Sequence, residues 1–239
     1  KNLNKSVKES TTAEVFESLD VGATKTEQIV SKYQNLIVGF ITTSILVVLS
    51  YLGYQNFILN PQSEEANNEL FLAQNYFNQA LSDVDNNDSL FTLALNGSEG
   101  KYGFLDIIEN YSATDAADIA TYSAGMAYYN LNDFENSINY LQKFSSDDEI
   151  LNALALGVIG DSFAELNQLE DALDSYKSAI NSSKNQFTTP KFLLKAGNIS
   201  YMLGKKREAL EFYEIIKKDY SKSPESNLID IQIGKNSID

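Results

Sequence analysis

The stretch GDSFAELNQLEDALDSYKSA, residues 160–179, carries the pattern from which the rest of the chain can be interpreted. It places Gly160 twelve positions before Ala172 and sixteen before Tyr176. The same order of glycine, small residue and large apolar residue occurs once before this stretch and once after it. The equivalent residues are Gly125, Ser137 and Leu141 before it, and Gly197, Ala209 and Tyr213 after it. The glycines are 35 and 37 positions apart, so the chain contains a repeat of about that length.

Each repeat predicts two helices joined by a short polar turn. The turns fall at Asn132-Asp133, Asn167-Gln168 and Gly204-Lys205, between segments whose apolar residues recur at helical spacing. Small residues at two sites let the paired helices approach closely, and the large residue fills the gap between pairs. The sequence therefore predicts an all-α fold in which helix pairs stack into an α-solenoid.

This periodicity resembles the tetratricopeptide repeat, whose unit is about 34 residues long. In the middle repeat, the residues that match the family pattern are Gly160, Phe163, Ala172, Tyr176 and Ala179. The outer repeats depart from that pattern at four places: Ser137 and Phe144 replace alanines, Ile216 replaces an alanine, and Ser200 replaces an aromatic residue. The resemblance implies a scaffold with a concave face that binds proteins and needs no cofactor.

The repeat pattern and the apolar stretches divide the chain into five expected regions. These are a leader over 1–34, a transmembrane helix over 35–58, membrane-proximal helices with a degenerate repeat over 59–113, three repeats over 114–222, and a capping helix with a tail over 223–239. Within 59–113 we expect helices at 63–82, 89–95 and 102–111. The first of these has an apolar face formed by Leu70, Phe71, Ala73, Tyr76, Phe77 and Ala80. Ser223-Pro224 is expected to open the capping helix, with the proline at its first position.

The first helix of a tetratricopeptide repeat lines the concave face, so the resemblance also implies candidate binding residues. They are Tyr122, Met126, Tyr129, Asn130, Asp161, Glu165, Lys191, Leu194, Asn198 and Tyr201. Aromatic and methionine side chains there can grip apolar segments of a polypeptide. The alternative for each residue is packing between helices or an ordinary solvated position. The basic and asparagine clamp that some repeats use for a terminal carboxylate is represented only by the fragment Lys191, Lys195 and Asn198.

An uncharged apolar stretch, LIVGFITTSILVVLSYLGY over residues 36–54, predicts a membrane span. Nineteen helical residues cover roughly 28 Å, close to the thickness of a bilayer's hydrocarbon core. The hydroxyls of Thr42, Thr43 and Ser44 can bond to the preceding helical turn. Asn60-Pro61 is expected to break or kink the helix.

The lysines around this stretch predict its orientation. Lys25 and Lys32 precede it, and no Lys or Arg follows until Lys101, so the N-terminus is expected in the cytoplasm and the repeats in the periplasm. A cleaved signal peptide is disfavoured because the preceding segment is long and acidic, and because no A-x-A site follows. Short helices are possible in the leader at 13–19 and 24–34. The alternatives for the leader are a disordered tail and a docking segment for a cytosolic or membrane partner.

Composition narrows the classes of function. The net charge is −15, and the leader's five lysines balance its five acids, so the excess negative charge belongs to the outer region and argues against nucleic acid as a partner. The chain has no Cys and no His, which removes thiol chemistry and the commonest general base and metal ligand. Residues 97–101, GSEGK, lack the Walker spacing, and residues 83–88, DVDNND, lack the glycine and glutamate of a calcium loop. We therefore expect no enzyme activity, cofactor or metal site.

The layout of leader, single span and acidic repeat region is similar to that of YfgM-like ancillary subunits of the bacterial Sec translocon. The runs Phe187–Gly197 and Lys143–Glu149 resemble membrane-anchored repeat proteins of Bacteroidota. The resemblance implies a single-pass protein of the inner membrane that associates with SecYEG and with a periplasmic chaperone or prolyl isomerase. The alternative is a structural scaffold of another envelope complex for secretion, gliding or division, without client binding.

Overall fold

Helices form almost all of the chain where its structure is described. The computed structural model describes residues 31–83 and 87–237. Over these ranges no β-strand forms, so the all-α prediction is confirmed there. The predicted leader helix at 13–19, and most of the one at 24–34, lie outside the described residues. Contacts divide the chain into two compact units, Lys1–Ile58 and Leu59–Asp239.

Helix α1 covers residues 31–54 and continues through a π-helical turn, Gln55–Leu59, into α2, Asn60–Ser82. Of the two outcomes predicted at Asn60-Pro61, a break is wrong, because the helix continues from Ser31 to Ser82, and a kink stays a prediction. Pro61 lies in the first turn of α2. Proline cannot donate a backbone hydrogen bond, and the π-helical turn directly before it shifts the bonding pattern locally without ending the helix.

The apolar side chains of α1 are exposed. Leu36 and Phe40 expose 69% and 73% of their surface, whereas a helix in the core of a soluble protein would bury such residues. Thr42, Thr43 and Ser44 donate hydroxyl hydrogen bonds to the carbonyls four residues earlier at 2.8–2.9 Å, as predicted. Within the described ranges, this is the one helix long and apolar enough to cross a membrane.

Helices α2, α3 (Asn87–Asn96) and α4 (Phe104–Asn110) pack around a small aromatic core. The ring of Phe77 contacts Phe91 at 5.5 Å and Phe104 at 6.0 Å, both edge to face. The predicted apolar face of α2 is confirmed for Leu70, Ala73, Phe77 and Ala80, which are buried. Phe71 is a correction, because it is 74% exposed. Its position on the helix turns it away from α3 and α4, so helical spacing alone overestimates the width of the buried face.

Six further helices form the three repeats, with polar connections at the predicted places. The helix bounds are α5 Asp115–Asn130, α6 Phe134–Leu141, α7 Glu149–Glu165, α8 Leu169–Ser182, α9 Thr188–Met202 and α10 Lys206–Asp219. Each turn between paired helices contains one residue in the left-handed region: Asn132 at φ 59°, Asn167 at φ 58° and Gly204 at φ 73°. Asparagine and glycine tolerate this backbone better than other residues, which explains why they recur at this position.

One glycine recurs in each repeat, and we call Gly125, Gly160 and Gly197 the glycine ladder. Each of them lies where the two helices of its repeat touch. A Cβ on Gly160 would lie 2.6 Å from the ring of Tyr176, and one on Gly197 would lie 2.4 Å from the ring of Tyr213. In the first repeat a Cβ on Gly125 would lie 2.5 Å from Leu141 Cγ. Only glycine admits these contacts, so the close approach of each helix pair depends on it.

Helix α6 ends earlier than its counterparts in the other repeats, and the capping helix α11 begins later than predicted. Helix α6 has 8 residues and ends at Leu141, whereas α8 and α10 have 14 each. Phe144 therefore lies beyond the helix and packs against Tyr122 at 5.1 Å between ring centres. The capping helix α11, Ser226–Ser237, begins two residues after Pro224, which lies in the preceding turn. The Ser223 hydroxyl accepts a hydrogen bond from the Ser226 N–H. Residues 223–225 therefore form a capped turn, and the regular helix begins after it, at Ser226.

Candidate functional site

Four of the ten predicted binding residues line one open cavity of about 280 Å³. Tyr129 reaches it from α5, Asp161 and Glu165 from α7, and Asn198 from α9. Side chains outside the ten predicted binding residues complete the lining: Ala164, Tyr176, Lys195 and Ile199. The cavity therefore draws on all three repeats.

Asp161 is the polar centre of this cavity. The hydroxyl of Tyr176 donates to Asp161 Oδ1 at 2.6 Å, and Lys195 Nζ donates to Asp161 Oδ2 at 2.6 Å. The side chains of Asp161 and Lys195 are 18% and 32% exposed, so water screens their ion pair only in part. Lys195 Nζ also lies 5.8 Å from the ring centre of Tyr176. The negative charge of Asp161 is thus matched inside the cavity.

Two tyrosines bring phenol groups close to the acids. Burial raises the pKa of Tyr129, and the charges of Asp161 and Glu165 raise it further. Burial also raises the pKa of Tyr176, strongly, with further contributions from the charge and the hydrogen bond of Asp161. Both phenols stay protonated at neutral pH, so each offers an O–H donor and an uncharged ring. The ring of Tyr129 is held edge-on by Phe134 at 5.7 Å.

Glu165 and Asn198 keep polar groups free for a ligand. Glu165 is the exposed last residue of α7, and no hydrogen bond or ion pair engages its carboxylate in the described part of the chain. Asn198 Oδ1 accepts a hydrogen bond from the hydroxyl of Tyr213 at 2.9 Å. That bond orients the amide and leaves its two N–H groups available as donors.

The other six predicted residues lie outside this cavity. Tyr122, Met126 and Leu194 pack against neighbouring apolar side chains, which favours the packing alternative for them. Asn130 Nδ2 donates to the Met126 carbonyl at 2.7 Å. Lys191 is exposed with Nζ 5.9 Å from the ring centre of Phe192, and Tyr201 is 42% exposed. Their role in binding stays a prediction.

Two polar side chains of the lining, Tyr176 and Lys195, were not among the ten predicted binding residues. Tyr176 was assigned to packing and Lys195 to an incomplete carboxylate clamp, yet both contact Asp161. Asn198 is the residue of the third repeat that is equivalent to Asp161, and Lys195 lies three positions before it on α9, close to one helical turn away. Tyr176 and Tyr213 each bond to the residue that follows the glycine of their own repeat, 15 positions earlier. Comparing the repeats position by position would have indicated the tyrosine contact, whereas the contact of Lys195 with Asp161 depends on how α7 and α9 pack.

A second cavity lies near the start of α5. It measures about 470 Å³ and is lined by Asp115, Asp118 and Asp147 together with Ile119, Phe144, Ser145, Ser146 and Leu151. Burial raises the pKa of Asp118, and the charge of Asp115 adds to this. In the ranges that the structure describes, no group of three or more His, Cys, Asp or Glu side chains is arranged to hold a metal ion.

Comparison with known families agrees with this architecture. Residues 120–146 and residues 192–223 each match a family described as "Tetratricopeptide repeat". The first segment covers most of α5 and all of α6, and the second covers most of α9 and all of α10. A search among curated proteins gave no match. The chain therefore contains tetratricopeptide repeats, which are scaffolds for protein–protein interaction.

Proposed function

We propose that this protein is a membrane-anchored scaffold that binds other polypeptides outside the cytoplasm, as an accessory subunit of the Sec translocon. The observation that carries the proposal is an exposed apolar helix on the same chain as tetratricopeptide repeats. Its partners would be SecYEG and a periplasmic chaperone or prolyl isomerase, in keeping with the similarity of the layout to YfgM-like subunits. With a net charge of −15, the chain is unsuited to direct contact with nucleic acid.

The membrane part of the proposal rests on α1. Its exposed apolar surface needs a cover, and its length and composition suit a bilayer. Lys32 stands at the N-terminal end of α1, and no Lys or Arg follows before Lys101. This asymmetry favours a cytoplasmic N-terminus and periplasmic repeats in the inner membrane.

The absence of cysteine permits a direct test of orientation. Single cysteines at Ser10 and at the exposed Ser221 would be treated in spheroplasts with a membrane-impermeant maleimide. We expect labelling of S221C and no labelling of S10C until the membrane is opened. Labelling of S10C in intact spheroplasts, or recovery of the chain in the soluble fraction, would overturn the membrane proposal.

The partner is tested by photo-crosslinking in living cells. A photoreactive amino acid at Tyr129 lies in the cavity, and the same amino acid at the exposed Glu214 serves as the control. We expect Tyr129 to crosslink to secreted polypeptides and the complex to co-purify with SecY. Deleting residues 1–25 should weaken a contact on the cytosolic side. Recovery of other envelope components without SecY would contradict the translocon proposal. It would favour the alternative that the protein is a scaffold of another envelope complex.

A further inference from the structure

The cavity between the repeats carries one unbalanced negative charge. Asp161 is matched by Lys195 through bonds to both carboxylate oxygens. Glu165, which lines the same cavity, has no such partner in the part of the chain that the structure describes. The charged groups that line the cavity therefore sum to a single negative charge, located at its exposed edge.

The position of Glu165 makes that charge unfavourable in the isolated protein. Glu165 is the last residue of α7, where the helix dipole places its negative end. A carboxylate there repels the dipole, and no lysine or arginine of α7 offsets it, because the segment Glu149–Glu165 contains neither. A cation that enters the cavity would relieve both the unpaired charge and its repulsion from the helix end.

One cation, the ammonium group of Lys195, is already bound in the cavity. Lys195 lies over the ring of Tyr176 while it bonds to Asp161, so one ammonium group is held by an aromatic face and a carboxylate together. Tyr129 and Glu165 present the same two kinds of group, and the ring of Tyr129 is held in place by Phe134. The charge of Glu165 contributes to the raised pKa of Tyr129, which agrees with their proximity.

We propose that the cavity binds a cationic side chain, lysine or arginine, from an extended segment of a partner polypeptide. The cation pairs with Glu165 and lies against the ring of Tyr129, while Asp161 and Lys195 remain paired with each other. The volume of about 280 Å³ suits one side chain rather than a folded element. This inference rests on the proposed protein-binding function, but it does not require the translocon as partner.

Binding of matched peptides to the full chain in detergent micelles tests this directly. The probes are fluorescein-labelled decapeptides without other charged side chains, with one central arginine or its neutral isostere citrulline. A second pair carries lysine or acetyl-lysine. By fluorescence anisotropy we expect the arginine peptide to bind about tenfold more tightly than the citrulline peptide. We also expect the lysine peptide to bind more tightly than the acetyl-lysine peptide.

Glu165→Gln should reduce the arginine preference to less than about twofold, since only the charge is removed. The control is Glu214→Gln, which changes the total charge equally at an exposed position on α10 and should leave the preference intact. Tyr129→Leu should reduce the preference in part. Circular dichroism of each variant confirms that the helices are retained.

Three outcomes overturn the inference: equal binding of arginine and citrulline peptides, an equal loss in E165Q and E214Q, or no binding of any peptide up to about 1 mM. Failure of the translocon proposal looks different. In that case SecY does not co-purify with the protein, while the charge preference and its dependence on Glu165 persist.

Discussion

The first repeat and the two later repeats build the same helix pair with different chemistry. In the second repeat, Tyr176 packs on Gly160 and bonds to Asp161; in the third, Tyr213 makes the equivalent bond to Asn198. The first repeat has Leu141 and Met126 at these places, and neither side chain can form the equivalent hydrogen bond. The glycine contact sets the geometry, and the polar bond is an addition found in the later repeats.

The junction between the second and third repeats is also more strongly charged than the junction between the first and second. Three ion pairs join the second and third repeats: Asp161 with Lys195, Glu170 with Lys205, and Lys177 with Glu208. The first and second repeats share a contact between the hydroxyls of Ser137 and Ser162 at 3.3 Å. The first repeat relies on ring contacts of its own, such as Tyr128 stacked on Tyr140 at 5.3 Å. The polar cavity thus includes one of the ion pairs that join the second and third repeats.

We expect the largest difference in stability between repeats when alanine replaces the glycine at which the paired helices touch. Gly160→Ala should lower the free energy of unfolding by about 2 kcal/mol, because the new Cβ meets the ring of Tyr176, which its bond to Asp161 holds in place. Gly125→Ala should cost about half as much, since the new Cβ meets the side chain of Leu141, which no hydrogen bond holds in place. Urea unfolding followed by circular dichroism measures both.

The control for the glycine series is Gly234→Ala, where a Cβ meets nothing within 4 Å. This change should be neutral or stabilise by up to about 1 kcal/mol through helix propensity. Equal losses for Gly125→Ala and Gly160→Ala would contradict the idea that the tyrosine ring makes the later contact rigid.

Alkaline pH should also affect the later repeats more than the first. Burial raises the pKa of Tyr213 to about 12, and the nearby Tyr201 adds to the shift; the pKa of Tyr176 is raised more strongly. An unfolded tyrosine ionises near pH 10, so the stabilisation from each raised pKa is complete below that pH. It falls by at most about 1.4 kcal/mol per pH unit and is lost as the pH rises through the folded pKa.

Tyr213→Phe and Tyr176→Phe should each flatten the dependence of the unfolding free energy on pH between about 10 and 12. Urea titrations at several pH values in this range measure the slope. Tyr220→Phe, which removes a phenol hydroxyl at a half-buried position of the same repeat as Tyr213, serves as the control. An unaltered slope in both test variants would show that these phenols do not control alkaline stability.

The smallest expected differences concern the turns, where the three repeats are alike. Asn132→Ala, Asn167→Ala and Gly204→Ala each place alanine in the left-handed region and should cost about 1 kcal/mol. The same urea experiment measures them. A spread between repeats much wider than about 0.5 kcal/mol would mean that the turns, and not only the helix contacts, distinguish the repeats.

Sequence reasoning predicted well wherever a feature depends on neighbours along the chain. The turns at Asn132, Asn167 and Gly204 and the glycine ladder depend on backbone preference and repeat spacing, which are local. The predicted burial of Phe71 and the predicted break at Pro61 are wrong for the opposite reason. Whether Phe71 is covered depends on where α3 and α4 pack, and whether Pro61 ends a helix depends on the π-helical turn before it.

For the candidate site, helical period and repeat length predicted the helix pairs, because both are properties of the chain alone. The resemblance to tetratricopeptide repeats then implied ten binding residues, of which Tyr129, Asp161, Glu165 and Asn198 line the cavity. Only the tertiary structure decided that Lys195 pairs with Asp161 and leaves Glu165 unpaired. Charge pairing falls off over a few ångströms, so it is set by the distance between helices that are distant in sequence.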